Sequence, residues 1–269
     1  MIDLPIISIS LGLFVGFIMA LTGAGGSVLA IPLLVFGLGL SFTEAAPIAL
    51  LAVMSGASVG SIQGLYKGIV RYKAALLISG FGIALAPLGV WLAKRAPTQM
   101  LSLCFAIILI YVAWHMWTKN TESLHGDTTK PPSPCEINPA TSKLFWTAYC
   151  TKRLVTTGAI SGLLSGLLGV GGGFVIVPSL QKVSNFDFQT IIATSLTVIA
   201  LVSAGTVAAH LLHGSINWEI AVPFVISTMV SMLAFRLISH KVPTTITQRI
   251  FAVFAVFASV LMLIKTFIT

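Results

Sequence analysis

Leu167-Leu-Gly-Val-Gly-Gly-Gly-Phe-Val-Ile-Val-Pro178 repeats the pattern of an earlier phrase in the same chain, Leu21-Thr-Gly-Ala-Gly-Gly-Ser-Val-Leu-Ala-Ile-Pro32. Each phrase interrupts a long apolar stretch. Glycine has no Cβ and tolerates backbone conformations that other residues avoid, so a glycine cluster inside apolar sequence breaks a helix and bares its amides. Non-helical backbone at membrane depth is tolerated where it is buried in protein or lines a cavity. Two such breaks in corresponding places therefore mark a candidate binding site.

The surrounding composition is that of a membrane protein. Hydrophobic residues make up 57% of the chain and charged residues 8%, with a mean hydropathy of +1.02. The apolar runs are long enough to cross a hydrocarbon core of about 30 Å as helices, which takes roughly 20 residues. They lack the alternation of membrane barrel strands. The fold class is thus all-α and polytopic. The net charge of +8 does not indicate nucleic acid, because the basic residues sit at the ends of apolar segments and not along one face. Leu4 to Leu21 lacks a basic leader and reads as the first membrane helix, not a cleaved signal. Cys135 and Cys150 lie in a polar middle segment without metal-like spacing, and with Cys104 they are expected to be free thiols facing a reducing compartment.

A shift of 146 residues carries Pro32 onto Pro178, Gly68 onto Gly214 and Pro97 onto Pro243, so the chain is an internal duplication of two four-element repeats. After each glycine-split stretch come three apolar runs, roughly 45–66, 73–93 and 98–118, then 189–212, 218–239 and 245–267. The organisation is a membrane repeat over 1–118, a polar linker over 119–150 and a second membrane repeat over 151–269. A straight helix from Leu4 to Leu40 would run to about 55 Å, nearly twice the hydrocarbon thickness. If each split stretch crosses once, the lysines and arginines divide nine to six between the two sides. If each is a hairpin returning to its own side, they divide twelve to three. The positive-inside rule favours hairpins, an inverted repeat and a cytoplasmic linker.

In the hairpin reading, helices restart at Ser27 and Gly173. The first amides of a helix have no partner within it and together carry about half a positive charge. Gly23, Gly25, Gly26 and Ser27, facing Gly169, Gly171, Gly172 and Gly173, are therefore candidate ligands of a small oxyanion, with Ser27 adding a hydroxyl. Pro32 and Pro178 are expected to kink or end the returning helices. The alternative role for these glycines is close helix packing.

The two glycine phrases, the segment Ala193-Thr-Ser-Leu-Thr197 and the four-plus-four layout resemble the sulfite exporter TauE/SafE family over nearly the whole chain. The resemblance implies a multi-pass carrier of the bacterial inner membrane that exports sulfite, an organosulfonate such as sulfoacetate, or a related small sulfur-containing anion. Thr194 and Ser195 join the candidate substrate ligands on that resemblance. It implies no cofactor and no partner beyond the anion and the lipid bilayer, and leaves a homodimer open.

Other polar residues carry less. His210 and His213 are three apart, a spacing that can hold a metal, but no third strong ligand accompanies them, so no metal is expected. His210 is the candidate for proton coupling, since imidazole changes charge near neutral pH. Arg236 lies inside an apolar run and is expected to snorkel. Glu44 and Asp187 sit near matching helix starts. No nucleophile–base pair or His-Glu constellation accompanies an apolar segment, so enzymatic activity is not expected. The expected function is secondary transport of a small oxyanion by alternating access, and the alternative is an anion channel with a fixed glycine filter.

Overall fold

The computed structural model describes residues 3–22, 27–118, 135, 147–184, 186–211, 216–239 and 244–268. These form ten helices: α1 (Asp3–Thr22), α2 (Ser27–Gly37), α3 (Phe42–Tyr66), α4 (Tyr72–Arg95), α5 (Thr98–Thr118), α6 (Ala148–Leu168), α7 (Gly173–Val183), α8 (Phe188–Leu211), α9 (Trp218–Ser239) and α10 (Thr244–Ile268). The apolar runs read from the sequence coincide with α3, α4, α5, α8, α9 and α10 to within about three residues, because the breakers that end them are local. Ser41 caps α3, where its hydroxyl and amide both donate to Glu44 Oε2, at 2.7 and 3.0 Å. The matching Asp187 accepts from the Gln189 amide ahead of α8.

Both split stretches are hairpins. At the open end of the second, the Cys135 amide donates to Val183 O at 3.0 Å and Cys135 is disulfide-bonded to Cys150. The start of α6 and the end of α7 therefore lie together. Thr157 Oγ1 meets Ser179 Oγ at 2.5 Å part-way along. In the first hairpin the end of α2 lies on the early part of α1, since a Cβ on Gly37 would fall 2.5 Å from Leu11 Cδ1. Pro32 and Pro178 do not end the returning helices, which continue to Gly37 and Val183.

The disulfide corrects the expectation of free thiols at Cys135 and Cys150. The return of α7 brings residue 135 beside the start of α6, with a Cα–Cα distance of 5.2 Å, inside the range a disulfide needs. Nothing in the spacing of the two cysteines signals that approach. Cys104 is free.

α3 and α8 pack on each other at the centre, α4 on α6 and α8, α9 on α1 and α3, and α5 on α10. The central pair is the more enclosed, with 67% and 72% of their spans buried against 39% for α4 and α9. These four helices are long and apolar enough to cross a membrane. Leu76, Leu88, Trp91, Ile226 and Val230 project outward from α4 and α9, as Trp114 and Phe257 do from α5 and α10. So much uncovered apolar surface belongs in lipid.

Close approach of helices in lipid depends on small residues, because lipid tails are as apolar as leucine and only packing distinguishes a neighbour. Gly158, Gly162 and Gly166 of α6 meet Ile78, Gly82, Ala86 and Gly89 of α4, so that a Cβ on Gly89 would fall 2.9 Å from Gly166 Cα. Gly12 and Gly16 of α1 meet Ser227, Thr228 and Ser231 of α9 in the same way, and Ser231 Oγ donates to Leu13 O at 2.6 Å. The shift of 146 carries Gly12 onto Gly158 and Gly16 onto Gly162.

Candidate functional site

The second glycine turn is the tip of the α6–α7 hairpin. Gly169, Gly171 and Gly172 have φ of 73°, 71° and 69°, the left-handed region that strains residues with a Cβ. Gly169 ends α6, its amide donating to Ser165 O at 2.9 Å. Gly172 precedes α7 without a side-chain cap. The turn is buried from Leu168 to Phe174. Intrahelical bonding resumes at Val175, whose amide reaches Gly172 O at 3.1 Å. The amides of Gly171, Gly172, Gly173 and Phe174 have no acceptor among the described residues. Buried amides are almost always paired, so this cluster of bare donors at a helix start is the candidate place for an acceptor.

Three helices wall the turn. A Cβ on Gly169 would fall 2.5 Å from Ala46 Cβ of α3, and one on Gly171 would fall 2.8 Å from Ser203 Oγ of α8 and 2.9 Å from Val53 Cγ1 of α3. Ser161 of α6 stands against Gly172, donating to its carbonyl at 3.4 Å. Ser165 Oγ and Thr206 Oγ1 pair beside them at 3.2 Å. All four hydroxyl residues are fully buried.

A cleft of ≈ 120 Å³ approaches this turn from the face opposite Cys135. Phe42, Ala46, Lys94, Gly166, Leu167 and His210 are among the residues that line it. Ala46 is the residue that touches Gly169. Ala46 is thus shared between the cleft lining and the wall of the turn.

Of the residues expected at the site, Gly169, Gly171, Gly172 and Gly173 are brought together, and His210 lines the cleft. Gly23, Gly25, Gly26 and His213 lie outside the described residues, as do the side chains of Ser27 and Arg236. Ser27 is the first residue of α2, matching Gly173 in α7. Thr194 and Ser195 are fully buried but their hydroxyls are engaged elsewhere. Thr194 Oγ1 accepts from the Arg71 amide at 3.1 Å, and Ser195 donates to Ile192 O at 2.9 Å. Thr194 also precedes Ser203 by nine residues on α8, roughly 13 Å of helix. Among the described residues no three of His, Cys, Asp or Glu gather as a metal site requires. Sequence reasoning missed Ser161, Ser165, Ser203 and Thr206, whose signal is asymmetry: the shift of 146 places Val15, Met19, Ala57 and Gly60 at their counterparts.

The sequence pattern that defines the sulfite exporter TauE/SafE family matches residues 8–262. The chain belongs to this family. It is similar to a probable membrane transporter protein of Xylella fastidiosa, 29% identical over 88% of this chain and 87% of that protein. The probable membrane transporter YunE of Bacillus subtilis is 26% identical, covering 82% and 83%. A probable membrane transporter protein of Methanocaldococcus jannaschii is also 26% identical, over 92% and 87%. No solved structure matches the chain. The protein is a membrane transporter, and its family and relatives point away from enzymatic activity.

Proposed function

We propose that this member of the family is a secondary carrier that exports a small oxyanion, sulfite or an organosulfonate of the sulfoacetate kind, by alternating access. One observation carries the reading: four buried amides at the start of α7 are left with no acceptor among the described residues. An anionic oxygen is the acceptor that a helix start favours. In the proposal Gly169, Gly171, Gly172 and Gly173 form one wall of the substrate site, and Gly23, Gly25, Gly26 and Ser27 of the first hairpin form the other. Thr194 serves the site by position, its hydroxyl tying α8 to the Arg71 amide between α3 and α4, while Ser195 bonds within α8.

Each half is a hairpin followed by three crossings, so the second half enters from the opposite face and the repeat is inverted. With twelve of the fifteen basic residues on the linker side, the linker is cytoplasmic and the cleft opens outward across the bacterial inner membrane. An inside-negative potential drives export, worth about 2.3 kcal/mol per charge per 100 mV. Counterflow tests the carrier: liposomes preloaded with unlabelled sulfite should take up labelled sulfite faster than empty ones. An anion channel with a fixed filter, the alternative, gives conductance without such exchange, and that result would reject alternating access.

A further inference from the structure

We propose that Ser203 is the side-chain donor that completes the second-turn wall of the anion site, and that the anion is held there as a singly charged oxyanion. This rests on the anion-carrier reading above and assigns its selective contact. Hydroxyls in apolar helices ordinarily bond to a carbonyl one turn back. On α8, Ser195, Thr197 and Thr206 all do so, to Ile192, Ala193 and Val202. Ser203 does not: it is fully buried and its Oγ has no hydrogen-bond partner among the described residues.

That hydroxyl is aimed at the turn. It lies 2.8 Å from where a Gly171 Cβ would stand, flanked by Val53 Cγ1 at 2.9 Å and Ile199 Cγ2 at 3.2 Å. A free hydroxyl beside free amides, against a backbone that only glycine leaves open, makes a convergent set of neutral donors. The neighbouring hydroxyls are already committed, Ser161 to Gly172 O and Ser165 with Thr206. The shift of 146 puts Ala57 opposite Ser203, and a methyl group cannot donate. α3 therefore offers no matching hydroxyl at that position.

The chemistry of the donor set selects the ligand. The side chains found against Gly169, Gly171 and Gly172 are those of Ala46, Val53, Ser161, Ile199 and Ser203, none of them charged. The cost of dehydrating an ion rises with the square of its charge, and neutral donors offset that cost poorly for a dianion. The site accepts the oxygens of one singly charged group, a sulfonate, hydrogen sulfite or a carboxylate, in preference to sulfate.

The test uses purified full-length wild-type protein, Ser203→Ala and, as a control whose hydroxyl donates to Met54 O, Ser58→Ala. The probes are sulfite, methanesulfonate, acetate and sulfate, read by calorimetry and by ligand-induced thermal shift. Ser203→Ala should bind the singly charged probes roughly tenfold or more weakly, as expected for loss of a hydrogen bond to a charged ligand. Its ligand-free melting temperature should equal or exceed that of wild type, because no protein bond is lost, and Ser58→Ala should bind normally. Unchanged binding by Ser203→Ala, a lowered ligand-free melting temperature, or sulfate binding as tight as methanesulfonate would each overturn the proposal while leaving the carrier reading in place. If wild type binds none of the probes, the anion reading fails along with it.

Discussion

Replacing Gly171 with alanine separates backbone strain from loss of function. Its φ of 71° costs an L-residue about 1–2 kcal/mol. The new Cβ would stand 2.8 Å from Ser203 Oγ, 2.9 Å from Val53 Cγ1 and 3.2 Å from Ile199 Cγ2, and such overpacking adds about 1–3 kcal/mol. The combined destabilisation is about 2–5 kcal/mol, a sizeable share of a typical domain's stability. Gly39 supplies the reference. Its φ is 68° but nothing stands within 4 Å of its would-be Cβ, so Gly39→Ala takes only the backbone share, about 1–2 kcal/mol. Both variants are purified, melted with and without sulfite, and assayed for uptake in liposomes. Gly171→Ala should melt below Gly39→Ala and lose both the sulfite-induced shift and transport, because its methyl group occupies the anion's approach to the amides. Gly39→Ala should keep both. Normal sulfite transport by Gly171→Ala, or equal losses in the two variants, would refute the reasoning.

Gly162→Leu should remove the folded protein itself, at a cost of about 3 kcal/mol or more. The backbone of Gly82 lies where its side chain would go, with Gly82 Cα 2.5 Å from the ideal Cβ, and an unchanged melting temperature would disprove that contact. His210→Gln should flatten the dependence of transport on pH between about 5 and 8, where imidazole changes charge. A profile identical to wild type would remove His210 from coupling. For a cytoplasmic linker, the pair Cys135–Cys150 faces a reducing compartment that membrane-impermeant reagents do not reach. Membrane-impermeant reductant followed by impermeant maleimide should then fail to label either cysteine in intact cells. Labelling from outside would reverse the topology.

The helices were legible because their signals are local. Apolar runs ended by Gly, Pro and charged residues mark α3 to α5 and α8 to α10, and the restarts at Ser27 and Gly173 follow from where the glycines stop. The turn glycines could also be told from packing glycines in kind, since Gly169, Gly171 and Gly172 take positive φ, whereas Gly158, Gly162 and Gly166 are helical and spaced every fourth residue. Hydropathy says much less about which face of each helix points inward. In a membrane both the lipid-facing and the core-facing sides are apolar, so the periodicity that orients a helix in water is weak.

By itself, then, the sequence determined an all-α membrane chain, two glycine breaks in register and the donors a restarted helix leaves bare, all consequences of residues adjacent along the chain. Only the tertiary structure decided what those donors face. The return of α7 joins Cys135 to Cys150, the Arg71 amide takes up Thr194 from 123 residues away, and α8 delivers Ser203 to Gly171. Each contact depends on how helices distant in sequence pack, and in lipid that choice is made by small residues and hydrogen bonds, which act only once the helices meet.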